Sequence, residues 1–258
     1  MSTSGSEEFV PYVDEVAKLC MENIRFLFVD TVRCSAAETL PWLLRCVKNQ
    51  GLTKEDVEKI TTVISEQLKG HEERRLEAEA EEAEEDADAD DVKEKLTDEA
   101  EMEGEILARL SDLIHNMFER CAQYQDQFVP PLLKCLSDEY PEVRQAAAYG
   151  FGVMGMVGGV EYLNTVTNAL EPLAAMVNRP DARATEESSG ATDNGIAAVA
   201  KILKYSGANI NLSQPYTGFM VPAWPTGYWM EKEEKTQVLG EPTRVSCQPR
   251  QMRGKEFI

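Results

Sequence analysis

The chain has 258 residues, 43% of them hydrophobic, which is enough to bury one or two ordinary cores. Acidic residues outnumber basic ones 46 to 26, and a net charge of -20 repels a phosphate backbone, which argues against direct nucleic-acid binding. The uncharged stretch Gln145 to Val160 holds five glycines and falls short of the roughly 18 to 20 apolar residues that span a bilayer, which argues against a membrane helix there.

The acidity is local: seventeen acids between Glu72 and Glu103 face only Arg74, Arg75, Lys93 and Lys95, so about thirteen of the twenty excess charges sit there. Cys20, Cys34, Cys46, Cys121, Cys135 and Cys247 are scattered without the paired spacing of a zinc site and read as reduced thiols. Met1 to Phe9 lacks the build of a secretory or transit segment, so the expected address is cytoplasm or nucleus.

In chain order, Val13, Val16, Ala17, Leu19, Cys20 and Ile24 recur at spacings of three and four and predict an amphipathic helix over 9–28. Asp30 offers an N-cap for a second helix over 31–47, which Pro41 should bend. Thr53 followed by Asp56 marks the start of a third, predicted from Lys54 to about Leu76. From Glu77 to Glu103 the like-charged composition predicts fraying into a disordered loop. Apolar periodicity returns at Ile106 to Cys121 and Phe128 to Leu136, then in helices over 141–156, 162–176 and 192–205, with Gly158 and Gly159 ending the first of these. Pro180 and the Ser188, Ser189, Gly190 cluster predict a loop, and no strand is expected before residue 213.

Three helices share a local pattern. Asp30 and Arg33 precede Ala36 and Ala37; Glu142 and Arg144 precede Ala147 and Ala148; Thr192 to Asn194 precede Ala197 and Ala198. Small pairs let helices approach closely, and an acid and an arginine at each helix start can pair along a stack, so Asp30, Arg33, Glu142 and Arg144 read as structural ladder groups. The repetition predicts an all-α chain: a right-handed α-α superhelix of the HEAT/ARM type with about four helix pairs over 9–212. Within it lies an acidic insertion loop (72–104), with disordered ends at 1–8 and 213–258.

Gly150, Gly152 and Gly155 fit a dinucleotide-binding spacing, but the segment before them is helical rather than a strand, so they read as a close-packing face. His71 reads as a surface histidine, since position 75 is Arg where a zinc-protease helix needs His. Nothing pairs a nucleophile with a base, and no cofactor, metal or catalytic activity is expected. The acidic tract itself fits either a solvated spacer or an electrostatic surface for basic partners.

Asp30 to Pro41, Pro141 to Met154 and Ala191 to Ile202 resemble the importin-beta superfamily, in particular the importin five or karyopherin beta three type, over roughly 9–212. The resemblance implies a nuclear transport receptor that binds FG-repeat nucleoporins, carries basic cargo and answers to Ran-GTP. It turns the acidic tract toward cargo or Ran contact, with Glu79, Glu81, Glu82, Glu84, Glu85, Asp86, Asp88, Asp90 and Asp91 as candidates. Trp42, Phe26 and Phe118 read first as core, since apolar residues at helical spacing usually are, and second as groove residues for nucleoporin phenylalanines. The alternative is another HEAT scaffold, of the phosphatase or microtubule-binding kind. From Ser213 the proline-rich sequence departs from the family.

Overall fold

The computed structural model describes residues 8–26, 28–47, 53–82 and 89–210. Among these residues there are eight α-helices and no strand: α1 (Val13–Ile24), α2 (Asp30–Val47), α3 (Lys54–Glu82), α4 (Ala89–Cys121), α5 (Gln125–Cys135), α6 (Pro141–Val157), α7 (Leu163–Val177) and α8 (Glu186–Ser206). Short 3-10 turns lead into α1, α5 and α7. No helix among the described residues is long and apolar enough to cross a membrane. The ends expected to be disordered lie almost wholly outside the described residues, at 1–7 and 211–258.

Consecutive helices pair antiparallel, and the pairs stack. The first members α1, α3, α5 and α7 touch in sequence to form one layer, and the second members α2, α4, α6 and α8 form the other and pack more closely. One apolar cluster runs through all four pairs, from Val13 in α1 to Ile210 beyond α8. That is the expected all-α solenoid of about four helix pairs, with a core that lengthens with each pair.

Local chemistry sets the helix starts. Thr53 and Asp56 form a reciprocal cap at α3: the Thr53 amide donates to Asp56 Oδ2 (2.7 Å) and the Asp56 amide donates to Thr53 Oγ1 (3.2 Å). Pro41 stays inside α2. α6 ends at Gly158 and Gly159, and Gly159 takes a φ of 53°, which side-chain-bearing residues rarely adopt. The loop expected at Ser188 to Gly190 is instead the first turns of α8, because Thr185 caps it by accepting from the Ser188 amide at 3.1 Å.

The close approach of the second layer comes from missing side chains. A Cβ on Gly152 would stand 3.1 Å from the Ala198 Cα, and one on Gly155 would stand 2.9 Å from the Ile202 Cα, both in α8. A Cβ on Gly150 would lie 2.7 Å from Ser111 Oγ in α4. The glycine face is thus filled on both sides by neighbouring helices, in keeping with its reading as a packing face.

The acidic insertion is a correction. Of the loop expected over 72–104, residues 72–82 continue α3 and 89–104 begin α4; only 83–88 lie outside the described residues. Ala, Glu and Lys are strong helix formers, and a thin apolar stripe of Ala78, Val92, Leu96 and Ala100 is buried between the two helices.

Candidate protein-binding site

α3 and α4 have 29 and 33 residues, so they run about 43 and 50 Å at 1.5 Å per residue. α2 and α6 have 18 and 17 residues. The outer parts of α3 and α4 pack on each other through Ala78, Val92 and Leu96, with Tyr140 against that small core, and make a helical arm.

Acids cover its outside. Glu72, Glu73, Glu77, Glu79, Asp90, Asp91, Glu94, Asp98 and Glu101 are exposed. Of the candidate residues, the structure therefore places Glu79, Asp90 and Asp91 on the arm surface. Glu81 and Glu82 lie on α3 with side chains outside the description, and Glu84, Glu85, Asp86 and Asp88 fall outside the described residues.

The base of the arm is held by two ionic clusters that sequence reasoning missed. In the first, Arg75 of α3 donates to Glu103 Oε2 of α4 (3.0 Å) and to both carboxylate oxygens of Asp138 in the α5–α6 turn (2.9 and 3.1 Å). The Tyr140 ring lies 5.0 Å from the guanidinium carbon. Burial alone would lower the Arg75 pKa, but the Asp138 and Glu103 carboxylates outweigh it and raise it. Burial pushes the Glu103 carboxyl up, against the pull of Arg75. Cys135 donates to Glu103 Oε1 at 3.5 Å, and its thiol is pushed up by burial and by that carboxylate, so it stays protonated at neutral pH.

In the second cluster, Arg74 donates from Nε (2.9 Å) and Nη2 (2.7 Å) to Glu99 Oε1, which also accepts from His71 Nδ1. His71 is fully buried, not at the surface as its sequence context suggests. The apolar stripe of α3 passes through it, from Ile64 and Leu68 to Ala78. Arg33 of α2 completes the cluster by donating to Gln67 Oε1 at 3.0 Å.

These contacts give a pH dependence. Burial pushes the Glu99 carboxyl up, but the hydrogen bonds from His71 and Arg74 overcome burial and hold it down to about 2, against an ordinary 4.5. The folded value lies below the unfolded one, so this stabilisation is complete above the ordinary value and is lost as pH falls toward about 2. Glu99→Gln is expected to lose about 2–3 kcal/mol at neutral pH and to show a shallower decline in acid. Urea denaturation of both proteins at pH 7 and pH 3 measures this; parallel declines would contradict it.

Of the ladder residues, Arg33 and Arg144 are 2% and 1% exposed. Arg144 Nη1 donates to the carbonyls of Asp138 (2.7 Å) and Glu139 (2.6 Å), in the turn before its own helix. Glu142 sits in the first turn of α6, where its backbone lies 3.3 Å from the Cβ position of Gly104. Asp30 begins α2, with its side chain outside the description. Phe26 and Trp42 are exposed, and Phe26 meets Phe28 edge to face at 5.5 Å. Neither lines the groove of about 450 Å³ between α1 and α3, whose charged rim surrounds Met21 and Val63. The Phe118 side chain lies outside the description.

Stacked antiparallel pairs with a close-packed second layer define the class: a HEAT-type helical solenoid. The HEAT repeat family matches residues 128–157, and the family described as Importin repeat 6 matches residues 35–138. Importin subunit beta-3 of Saccharomyces cerevisiae is 32% identical over 120 residues, which is 46% of this chain and 11% of that relative. The chain is also similar to the solved structure of Kap121p bound to Ste12p (22% identity, TM-score 0.44, 92% of this chain and 30% of that one). A second likeness is to Kap121p bound to RanGTP (20% identity, TM-score 0.40, 91% and 29%). Residues 35–157 are thus similar to importin and HEAT repeats, and the chain spans about a tenth of the length of the curated relative it matches.

Proposed function

We propose that this chain is a segment of a nuclear transport receptor, working between cytoplasm and nucleus, in which the acidic arm presents a docking surface to a basic partner. The observation that carries this is the display of exposed acids on two helices anchored at their base by Arg74 and Arg75. A surface that is already ordered loses little entropy on binding, and concentrated charge speeds encounter with a cation. Similarity to importin repeats and to importin subunit beta-3 supports basic cargo and Ran-GTP as the partners at this arm, with FG-repeat nucleoporins elsewhere on the solenoid. The role is binding, without catalysis. Asp30, Arg33, Glu142 and Arg144 have structural duties, a reading supported by the burial of both arginines.

The test neutralises Glu79, Glu81, Glu82, Glu84, Glu85, Asp86, Asp88, Asp90 and Asp91 to their amides and measures a lysine-rich peptide by fluorescence anisotropy at low and physiological salt. The wild type is expected to bind at least about tenfold more tightly at low salt, and the advantage should shrink as salt rises. Equal affinities at both salts would refute the docking role of the arm, and absence of capture by Ran-GTP or FG peptides would count against the receptor reading.

A further inference from the structure

The second cluster at the arm base joins three helices through one imidazole. His71 of α3 is fully buried. Its Nδ1 meets Glu99 of α4 and its Nε2 faces Arg33 Nη2 of α2 at 3.5 Å, while Arg74 of its own helix brings Nη2 to 3.0 Å from Nδ1. Gln67 is the remaining polar neighbour, held by Arg33, and the α5 cation Lys134 is engaged by Glu72 one residue further along α3. A carboxylate only accepts and a guanidinium only donates, so the tautomer is fixed: Nδ1–H donates to Glu99 and the Nε2 lone pair faces Arg33.

We infer that His71 makes the joint between the first and second helix pairs proton-sensitive, with protonation at Nε2 displacing Arg33 and loosening α2 from α3 and α4. A proton from solvent that lands on Nε2 replaces an acceptor with a donor that points at another donor. The same proton sets imidazolium, Arg33 and Arg74 around one carboxylate, Glu99, with His71 and Arg33 themselves shut off from water. Arg33 is the group that gives way, because Arg74 holds Glu99 from two nitrogens at 2.9 and 2.7 Å whereas the contact of Arg33 Nη2 with the imidazole is long, at 3.5 Å. Burial and the two arginines lower the His71 pKa despite the opposing pull of Glu99. The folded state therefore resists the proton that the unfolded chain accepts, and stability is lost as pH falls below the ordinary histidine range.

The chain has only two histidines, His71 and His115, so the imidazole resonances are assigned with a single His115→Gln variant. The expected result in the full chain is a His71 midpoint below that of a free histidine. Backbone hydrogen exchange in α2 and in the middle of α3, corrected for intrinsic rate, should rise severalfold, up to about tenfold, between pH 7.5 and pH 5.5. His71→Gln, which cannot titrate, should abolish that pH dependence. If His71→Gln does not fold, the wild type still decides: titration of His71 without increased exchange in α2 overturns the inference, as does increased exchange without titration. An equal pH response in wild type and His71→Gln overturns it too. The outcome is independent of what the acidic arm binds.

Discussion

Arg75→Met is expected to destabilise the chain by about 3–5 kcal/mol, the usual range when one partner of a buried ionic cluster is removed. Arg75 serves two carboxylates at once. Glu103 is 4% exposed, and Asp138 closes the turn that starts α6 by accepting from the Tyr140 amide at 2.9 Å. Without the guanidinium, Glu103 is left charged in a buried site or must take a proton. Because burial already raises its pKa, protonation is the easier outcome, and the loss should be smaller at pH 5 than at pH 8. Chemical denaturation at the two pH values checks the sign. Pairing Arg75→Met with Glu103→Gln should cost clearly less than the sum of the two single changes, because the groups share one interaction. Additive losses would show that the cluster does not act as a unit.

The second large effect concerns α6 against α8. A Cβ on Gly155 would lie 2.6 Å from Ile202 Cγ1 and 2.9 Å from the Ile202 Cα. Gly155→Ala gains about 1 kcal/mol of helix propensity, but the contact with backbone forces two packed helices apart. Overpacking against backbone costs about 1–3 kcal/mol, at the upper end here because the contact is with the Ile202 Cα, so a net loss of about 1–2 kcal/mol is expected, with Gly155→Val losing more. Gly207→Ala is the control. Its backbone φ is −59°, and the nearest atom to its Cβ position is Leu203 Cβ at 4.0 Å. That change should be neutral or raise stability by about 0.5 kcal/mol. Thermal melts of the three variants test the ranking, and equal melting temperatures for Gly155→Ala and wild type would remove close packing as the reason for glycine there.

Most helix positions were legible before the structure, for local reasons. The Thr53 and Asp56 cap, the Gly158 and Gly159 stop and the three- and four-residue spacing of apolar side chains each act within one or two turns. The candidate site was legible only in part. Counting charge picked out Glu79, Asp90 and Asp91, which are indeed exposed. The same counting treated Glu99 and Glu103 as more solvated acid, although both are anchors of the fold. A signal was present: Val92, Leu96, Ala100, Glu103 and Leu107 recur at helical spacing and lead into the apolar run of α4, and Arg74 and Arg75 are the two arginines of the tract. Polar members of that stripe hid it.

By itself the sequence determined the helical class, the four-pair repeat and the concentration of charge, because periodicity, capping and composition are properties of neighbours along the chain. Only the tertiary structure decided that the acidic stretch is helical on both sides of residues 83–88 and that His71 is internal. Those outcomes depend on Arg74 and Arg75 of α3 meeting Glu99 and Glu103 of α4, with Asp138 of the α5–α6 turn also paired to Arg75 and Arg33 of α2 bonded to Gln67. Pairing energy between groups 25 to 63 positions apart leaves no periodic trace in a single chain.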